Sequence, residues 1–271
     1  MTVRLIHLSD IHFGCENAAA VAATREYILA HPADLVVVTG DITQAGARRQ
    51  FKAAEAWLST LPGAQLRAPG NHDTPYWNLI ARLAWPWRRY NRFFGPAAFA
   101  SFDGPDLAVI SLNTARGAQL RLNWSKGQLR TRDAAQAASL LRAAAGLRVV
   151  LCHHPLMEVT GGPMTGLVWG GVEGSKILAE AEADLVLTGH VHMPFAHALP
   201  FGDGRTYAVG AGTLSLRERG SPAGFSLIEA NEERILVTAM GWQGSRFEPQ
   251  RTWGFDRRRR PSARGGGADP L

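Results

Sequence analysis

Three features of this sequence predict an α/β fold with a mixed sheet. Short apolar runs, Leu5-Ile6-His7-Leu8 and Leu35-Val36-Val37-Val38 first among them, read as strands buried on both faces. Alanine-rich or amphipathic stretches alternate with these runs, which gives the β-α-β-α-β order of a parallel core. Beyond Thr188 the helical pattern gives way to short strand-like runs separated by turns, expected to be antiparallel.

The first strand carries Leu5, Ile6 and Leu8 and ends in Ser9-Asp10-Ile11-His12-Phe13-Gly14. Residues two apart in an extended chain face the same side, so the Asp10 carboxylate and the His12 imidazole can address one ion. His7, inside the strand, is expected to be buried. Ala18 to Ala30 reads as a helix stopped near His31, because Pro32 disfavours helix at the residue before it. Ala33 to Thr39 is the second strand, closed by Gly40-Asp41. Ala45 to Leu61 is a second helix, with Phe51, Ala54, Trp57, Leu58 and Leu61 at three- and four-residue spacing, ended by Pro62-Gly63. Leu66-Arg67-Ala68-Pro69 leads into Gly70-Asn71-His72-Asp73.

From Thr74 to Phe102 aromatics alternate with Arg82, Arg88, Arg89 and Arg92, in what reads as an inserted helical segment. An amphipathic helix packed on the body, arginines in solvent, is one reading. A cap that stacks a base and holds phosphate is another. A dimer or membrane-surface contact through Trp and Arg is the third.

Leu107 to Leu112 is a strand followed by the polar stretch Asn113-Thr114-Ala115-Arg116-Gly117, read as a turn or as a pocket edge. Ser125 to Leu147 is expected to be a long helix. Val149 to Cys152 is a strand closed by His153-His154-Pro155. A glycine-rich stretch, Met157 to Gly174, is expected to form a mobile rim, before a helix from Ser175 to Ala183. Leu185 to Thr188 closes at Gly189-His190-Val191-His192. The later strands are expected at Ala196–Leu199, Thr206–Val209, Gly224–Glu229 and Ile235–Met240. His197 is a weaker candidate for substrate contact.

Composition narrows the class. The chain has 271 residues, 46% of them hydrophobic, enough for one sizeable core. The formal net charge is +6, but Arg257-Arg258-Arg259-Arg260 supplies four of those charges, and setting them aside leaves +2. A high pI is therefore no sign by itself of nucleic-acid binding. The two cysteines, Cys15 and Cys152, suggest no disulfide framework. Met1-Thr2-Val3-Arg4 reads as a strand start rather than a secretory signal, and no apolar run is long enough to span a membrane, so a cytoplasmic location is expected. Residues 1–250 read as one domain, with 74–102 as a helical cap insertion and 251–271 as a disordered basic, glycine-rich tail.

Five strand ends thus carry Asp, Asn or His, and ligands in open α/β sheets bind beyond strand ends. Asp10-x-His12, Gly40-Asp41, Gly70-Asn71-His72-Asp73, His153-x-Pro155 and Gly189-His190-x-His192 resemble, in order and spacing, the motifs of the calcineurin-like metallophosphoesterases. The resemblance covers roughly residues 3 to 240. Within that superfamily the chain is most similar to the bacterial class III cyclic-nucleotide phosphodiesterases and related small phosphodiesterases. The resemblance implies a four-layer α/β/β/α sandwich of two mixed β-sheets flanked by helices. It implies two divalent or trivalent ions, Mn, Fe, Zn or Co, which the oxygen and imidazole donors suit. Asp10, His12 and His192 would hold one ion, Asn71, His153 and His190 the other, and Asp41 would bridge them. The activity implied is hydrolysis of small phosphodiesters, 3′,5′-cyclic nucleotides being the first candidates, by a metal-bridging hydroxide. His72 would act as the non-ligand catalyst, with Asp73 orienting it or supporting a ligand. His154 would stand behind the ligands.

Other functions fit the same residues. A phosphomonoesterase would use the same seven ligands. A nuclease would draw on the aromatic-basic stretch Tyr76 to Arg92. A non-catalytic binding module would need no ions, and against it all seven ligand positions are filled with the expected types. A small phosphodiester is the expected partner, with a homodimer as a further expectation.

Overall fold

The strands and helices assemble into four layers. The computed structural model describes residues 2–158 and 168–260. One sheet is formed by β1 (Val3–Leu8), β2 (Leu35–Thr39), β3 (Gln65–Ala68), β10 (Gly224–Ala230), β11 (Arg234–Trp242) and β12 (Phe247–Asp256), in the order β12-β11-β10-β1-β2-β3. The other holds β4 (Phe99–Gly104), β5 (Leu107–Leu112), β6 (Leu147–Leu151), β7 (Leu185–Thr188), β8 (Phe195–Ala198) and β9 (Tyr207–Gly210), in the order β4-β5-β6-β7-β9-β8. In the first sheet β1, β2 and β3 run parallel, while β10, β11 and β12 are antiparallel. In the second, β5, β6, β7 and β9 run parallel, with β4 and β8 antiparallel at the edges.

Alternation along the strands explains the layering. Leu5, Leu35, Val37 and Leu66 of one sheet meet Val109, Val149, Leu187 and Val209 of the other in the central core. Their neighbours Ile6, Leu8, Val36 and Val38 turn outward against α1 (Ala18–Ala30), α2 (Arg48–Leu58) and α4 (Arg88–Phe94). On the far side Ile110, Val150 and Val186 pack against α5 (Thr131–Ala143) and α6 (Gly171–Glu180). The strands are apolar at successive positions because both faces are covered. Each buried aliphatic side chain contributes ~1.5–3 kcal/mol. The expected α/β/β/α sandwich of two mixed sheets is thus the observed one.

Several sequence expectations need correction. The C-terminal tail does not begin at residue 251, because Arg251–Asp256 completes β12 against β11. Nor does the whole arginine run lie outside the fold. Arg258 and Arg260 reach the fully buried Asp184, at 3.4 and 2.7 Å. Residues 261–271 lie outside the described residues. So do Gly161-Gly162-Pro163 and Gly166 of the expected rim.

The segment 74–102 is not one helical unit. A short α3 (Leu79–Ala84) and α4 are followed by β4, which starts at Phe99. Tyr90 on α4 is buried, Phe93 stacks on Phe51 of α2 and Phe94 packs tilted against the same ring, so this half belongs to the core. The expected helix from Ser125 starts only at Thr131, because Gln128 bridges to Trp169 and the Ser125 carbonyl is bonded to a histidine of the site. Finally, β9 pairs antiparallel with β8 as expected but joins the sheet through a parallel edge with β7.

Candidate metal centre

The carboxyl ends of the parallel strands converge on one buried cluster. Asp10 and His12 follow β1, Asp41 follows β2, Asn71 follows β3, His153 follows β6, and His190 and His192 follow β7. Six non-glycine residues with positive φ occur among the described residues, and five are Asp10, His12, Asp41, His190 and His192. Such conformations cost ~1 kcal/mol or more each and persist where the surroundings enforce them. Here the turns bend each donor back over the strand ends.

Two glycines let these turns pack together. A Cβ on Gly70 would collide with the Asp41 backbone nitrogen and carboxylate, and one on Gly189 would collide with Ser9 Oγ and Asp10 Oδ2.

Two donor groups are distinguishable. In the first, His192 Nε2 lies 3.0 Å and His12 Nε2 3.7 Å from Asp10 Oδ1, and the two imidazole nitrogens are 3.2 Å apart. In the second, His153 Nε2 lies 3.2 Å from Asp41 Oδ2 and 3.3 Å from His190 Nδ1. The Asp41 Oδ2 atom is also 3.8 Å from His12 Nε2, which joins the two groups through one carboxylate. All but His190 are buried, with Asp10, His12 and His153 fully so.

The donor set fits cations. Ligands that share an ion at ~2.1 Å lie ~3–3.5 Å from each other, close to most of the separations above. Asn71 Oδ1 is buried without a hydrogen-bond partner among the described residues, and Asp10 Oδ1 faces only the His12 and His192 rings, a costly arrangement that a cation relieves. Burial raises the pKa of the Asp10 and Asp41 carboxyls, but the facing histidines outweigh it and hold both well below the usual range. Burial likewise lowers the His153 imidazole, yet Asp41 outweighs it and lifts the ring to about 9. The Asp41–His153 contact thus calls for positive charge, which a proton or a metal ion supplies.

Backbone carbonyls fix how the rings point. His153 Nδ1 donates to Thr39 O at 2.7 Å and His192 Nδ1 donates to Arg217 O at 2.6 Å, which leaves each Nε2 free to face the centre. Asp10 Oδ2 accepts from Ser9 Oγ (2.6 Å) and from the His190 backbone N–H (2.8 Å).

His72 sits at the rim. Its backbone N–H donates to Asp41 Oδ1 at 2.7 Å and its Nδ1 donates to Gln44 O at 2.6 Å. Asp73 does not orient this ring. It is fully buried and accepts from Gly70 N, Thr43 N, Thr43 Oγ1 and Ile42 N, so it ties the β3 turn to the β2 turn. Burial and the nearby Asp41 push its carboxyl up to about 7, against those donors.

His154 has both ring nitrogens engaged, with Thr114 Oγ1 (2.9 Å) and Ser125 O (2.8 Å), so it buttresses the His190 ring 4.5 Å away. Asn113 and Arg116 take the turn role. Asn113 Oδ1 accepts from Ala115 N, and Arg116 donates to the carbonyls of Asn113 and Ala115. His7 is buried 2.9 Å from Thr39 Oγ1, and His197 stacks on Phe195 in edge strand β8. Cys15 is partly exposed next to the first turn, its N–H on His12 O, and Cys152 is buried.

Arg217 and Arg219 also reach the site, although no motif in the sequence marks them. Arg217 Nη1 lies 3.3 Å from His72 Nε2, and the Asp10 and Asp41 charges act on Arg219. They follow β9, a sixth strand end, whose apolar run carries no ligand-type residue at its close. The only available signal was a pair of arginines after a buried strand.

Residues 3–194 match the calcineurin-like phosphoesterase family. A relative named a probable cyclic nucleotide phosphodiesterase, from Synechococcus sp., is 24% identical over 255 residues, covering 89% of this chain and 93% of its own. Among solved structures, a dimetal phosphatase from Danio rerio superposes with a TM-score of 0.67 at 12% identity, covering 94% of this chain and 98% of that one. PhoD superposes with a TM-score of 0.71 at 10% identity, covering 94% and 70%. At such identities the solved structures speak for the fold, while the family match rests on the sequence itself. The chain belongs to the calcineurin-like phosphoesterases, metal-dependent hydrolases of phosphate esters.

Proposed function

We propose that this protein is a two-metal phosphodiesterase acting on small phosphodiesters, with 3′,5′-cyclic nucleotides as the first candidates. The observation that carries the proposal is the convergence of six carboxylate and imidazole donors into two groups joined by Asp41, with the buried, unpartnered Asn71 Oδ1 at the neighbouring strand end. Asp10, His12 and His192 would hold one ion and Asn71, His153 and His190 the other. When bound, two such ions neutralise phosphoryl oxygens and acidify a water near neutral pH. Mn, Fe, Zn or Co suit this donor set.

The chain's own groups do the rest. His72 is held by Gln44, so its Nε2 faces the substrate side. As a neutral ring it accepts from Arg217, and as an imidazolium it donates a proton to the leaving oxygen. Proton donation of this kind contributes ~10²–10⁴-fold. The Arg217 and Arg219 guanidiniums hold the phosphoryl oxygens not bound by the ions. Asp73 keeps Asn71 and Asp41 in register by bracing both turns. The name of the Synechococcus relative supports the cyclic-nucleotide choice, and the shared ligand set leaves the ester class to experiment.

The test is hydrolysis of bis(p-nitrophenyl) phosphate, p-nitrophenyl phosphate and cyclic AMP, each with added Mn²⁺ and with chelator. The proposal expects metal-dependent turnover of the diester and of cyclic AMP. Turnover of the monoester alone refutes the diester assignment. No turnover of any ester by metal-loaded protein refutes catalysis.

A further inference from the structure

Helix α3 is turned inside out for a surface helix. Its arginine, Arg82, is 7% exposed and donates to the Gly117 carbonyl at 2.7 Å beneath the Trp124 ring. Its aliphatic residues face water instead: Leu79, Ile80 and Leu83 are 59%, 77% and 59% exposed. Trp77 and Trp85 flank the helix, also exposed, and the loop that receives Arg82 presents Leu120 and Leu122 fully to solvent. An ordinary surface helix buries its apolar stripe, so a face like this one marks a surface built to be covered.

The charge around this face indicates what covers it. No Asp or Glu occurs from Thr74 to Phe102, where, besides the buried Arg82 and the carbonyl-bound Arg89, Arg88 and Arg92 are exposed. None occurs from Asn113 to Lys126, which carries Arg121 and Lys126 besides the carbonyl-bound Arg116, whereas Arg130 and Arg132 further on are paired with Asp133. Exposed aliphatics, interfacial tryptophans and nearby segments richer in Arg and Lys than in carboxylates match an anionic bilayer surface. There Leu and Ile enter the acyl boundary, Trp sits at the headgroups and Arg meets phosphate. A second copy would bring the same cationic surround against itself in a two-fold contact. A nucleic acid gains nothing from five exposed aliphatic side chains.

We propose that this face docks the protein on an anionic lipid surface. The face runs directly into the metal centre. Tyr76 stacks on His72 at 6.3 Å and 7°, and meets Trp77 edge-on at 4.9 Å. Docking therefore sets the rim of the centre at the level of the headgroup phosphates.

The test is co-sedimentation of the full chain with vesicles of phosphatidylcholine alone or mixed with phosphatidylglycerol. The variants are Ile80→Asp combined with Leu83→Asp, and Trp77→Ala, with Leu29→Asp on α1 as the control. Wild type and control should sediment with the anionic vesicles about tenfold better than with the neutral ones. The aspartate pair should lose at least about tenfold, and Trp77→Ala several-fold, with unchanged circular dichroism and metal content. Equal sedimentation of wild type and all variants overturns the proposal, as does wild type that stays in solution with anionic vesicles. A concentration-dependent dimer abolished by the aspartate pair, without vesicle binding, overturns it in favour of self-association.

Discussion

Asp184 is fully buried at the foot of β7, and replacing it with Asn should loosen the C-terminal end of the fold without touching the metal centre. Its Oδ2 accepts from Arg148 N (2.9 Å) and Arg260 Nη1 (2.7 Å), and its Oδ1 from Arg258 Nη1 (3.4 Å) and Arg260 Nη2 (3.2 Å). Side chains of Arg148, Arg258 and Arg260 are 10%, 7% and 11% exposed, so two of these cations lose their buried counter-charge together and the third loses a near neighbour. Breaking a buried ion pair typically costs 3–5 kcal/mol. Asn keeps the Arg148 N–H bond, and Arg258 keeps Asp203, but that partner is half exposed and compensates by at most ~1 kcal/mol. The expected loss is therefore about 3 kcal/mol, or roughly 6–12 °C in Tm for a chain of this size. Denaturant unfolding followed by tryptophan fluorescence, with saturating metal throughout, measures it. The same substitution in a chain ending at Asp256 should cost much less, because the arginines it serves are gone. A loss under ~0.5 kcal/mol in the full chain, or an equal loss in both chains, would refute the clasp.

Other consequences follow from the same structure. Gly70→Ala should abolish metal retention and activity together, since the added methyl displaces the Asp41 carboxylate; a variant that keeps both would show that the turn can yield. His72→Ala should keep its metal and lower kcat by ~10²–10⁴-fold, and a change in KM alone would remove His72 from the chemistry. Burial lowers the His7 pKa to about 3, with the nearby Asp10 only partly opposing it. The unfolded chain therefore takes up a proton below pH ~6.5 that the folded chain refuses, so stability falls as pH drops from ~6.5 toward 3. His7→Gln should flatten that dependence by up to ~1.4 kcal/mol per pH unit, and an identical slope in both proteins would contradict the assignment.

How much of this was legible in the sequence depended on the scale of the signal. Strands such as Leu35–Thr39 announce themselves because both faces are covered, and their closing residues then stand out as the donors Asp10, Asp41, Asn71, His153 and His190. Helix limits were less readable: Ser125 to Arg130 has helical composition but spends its backbone on Trp169 and His154. The β12 strand was missed because its residues are mostly exposed and polar, and edge pairing to β11 rather than burial forms it. The arginines at the C-terminus read as a solvated run because nothing local betrays Asp184, 74 residues upstream of Arg258. Arg217 escaped for a similar reason, since only the folded chain brings β9 beside β7 and lays that side chain against His72. Of the two roles expected for Asp73, orienting His72 or supporting a ligand, its hydrogen bonds to the turns that carry Asn71 and Asp41 fit the second, because adjacency in sequence to His72 says nothing about which way a turn aims its carboxylate.

The claim on which everything functional rests is that Asp41 joins two ion sites. Elemental analysis of purified, Mn²⁺-loaded wild type against Asp41→Asn, with bis(p-nitrophenyl) phosphate turnover measured on the same samples, tests it most directly. Wild type should carry about two metal equivalents per chain and the variant one or fewer, with a loss of turnover that added metal does not restore. Two equivalents and near-normal turnover in Asp41→Asn would contradict it.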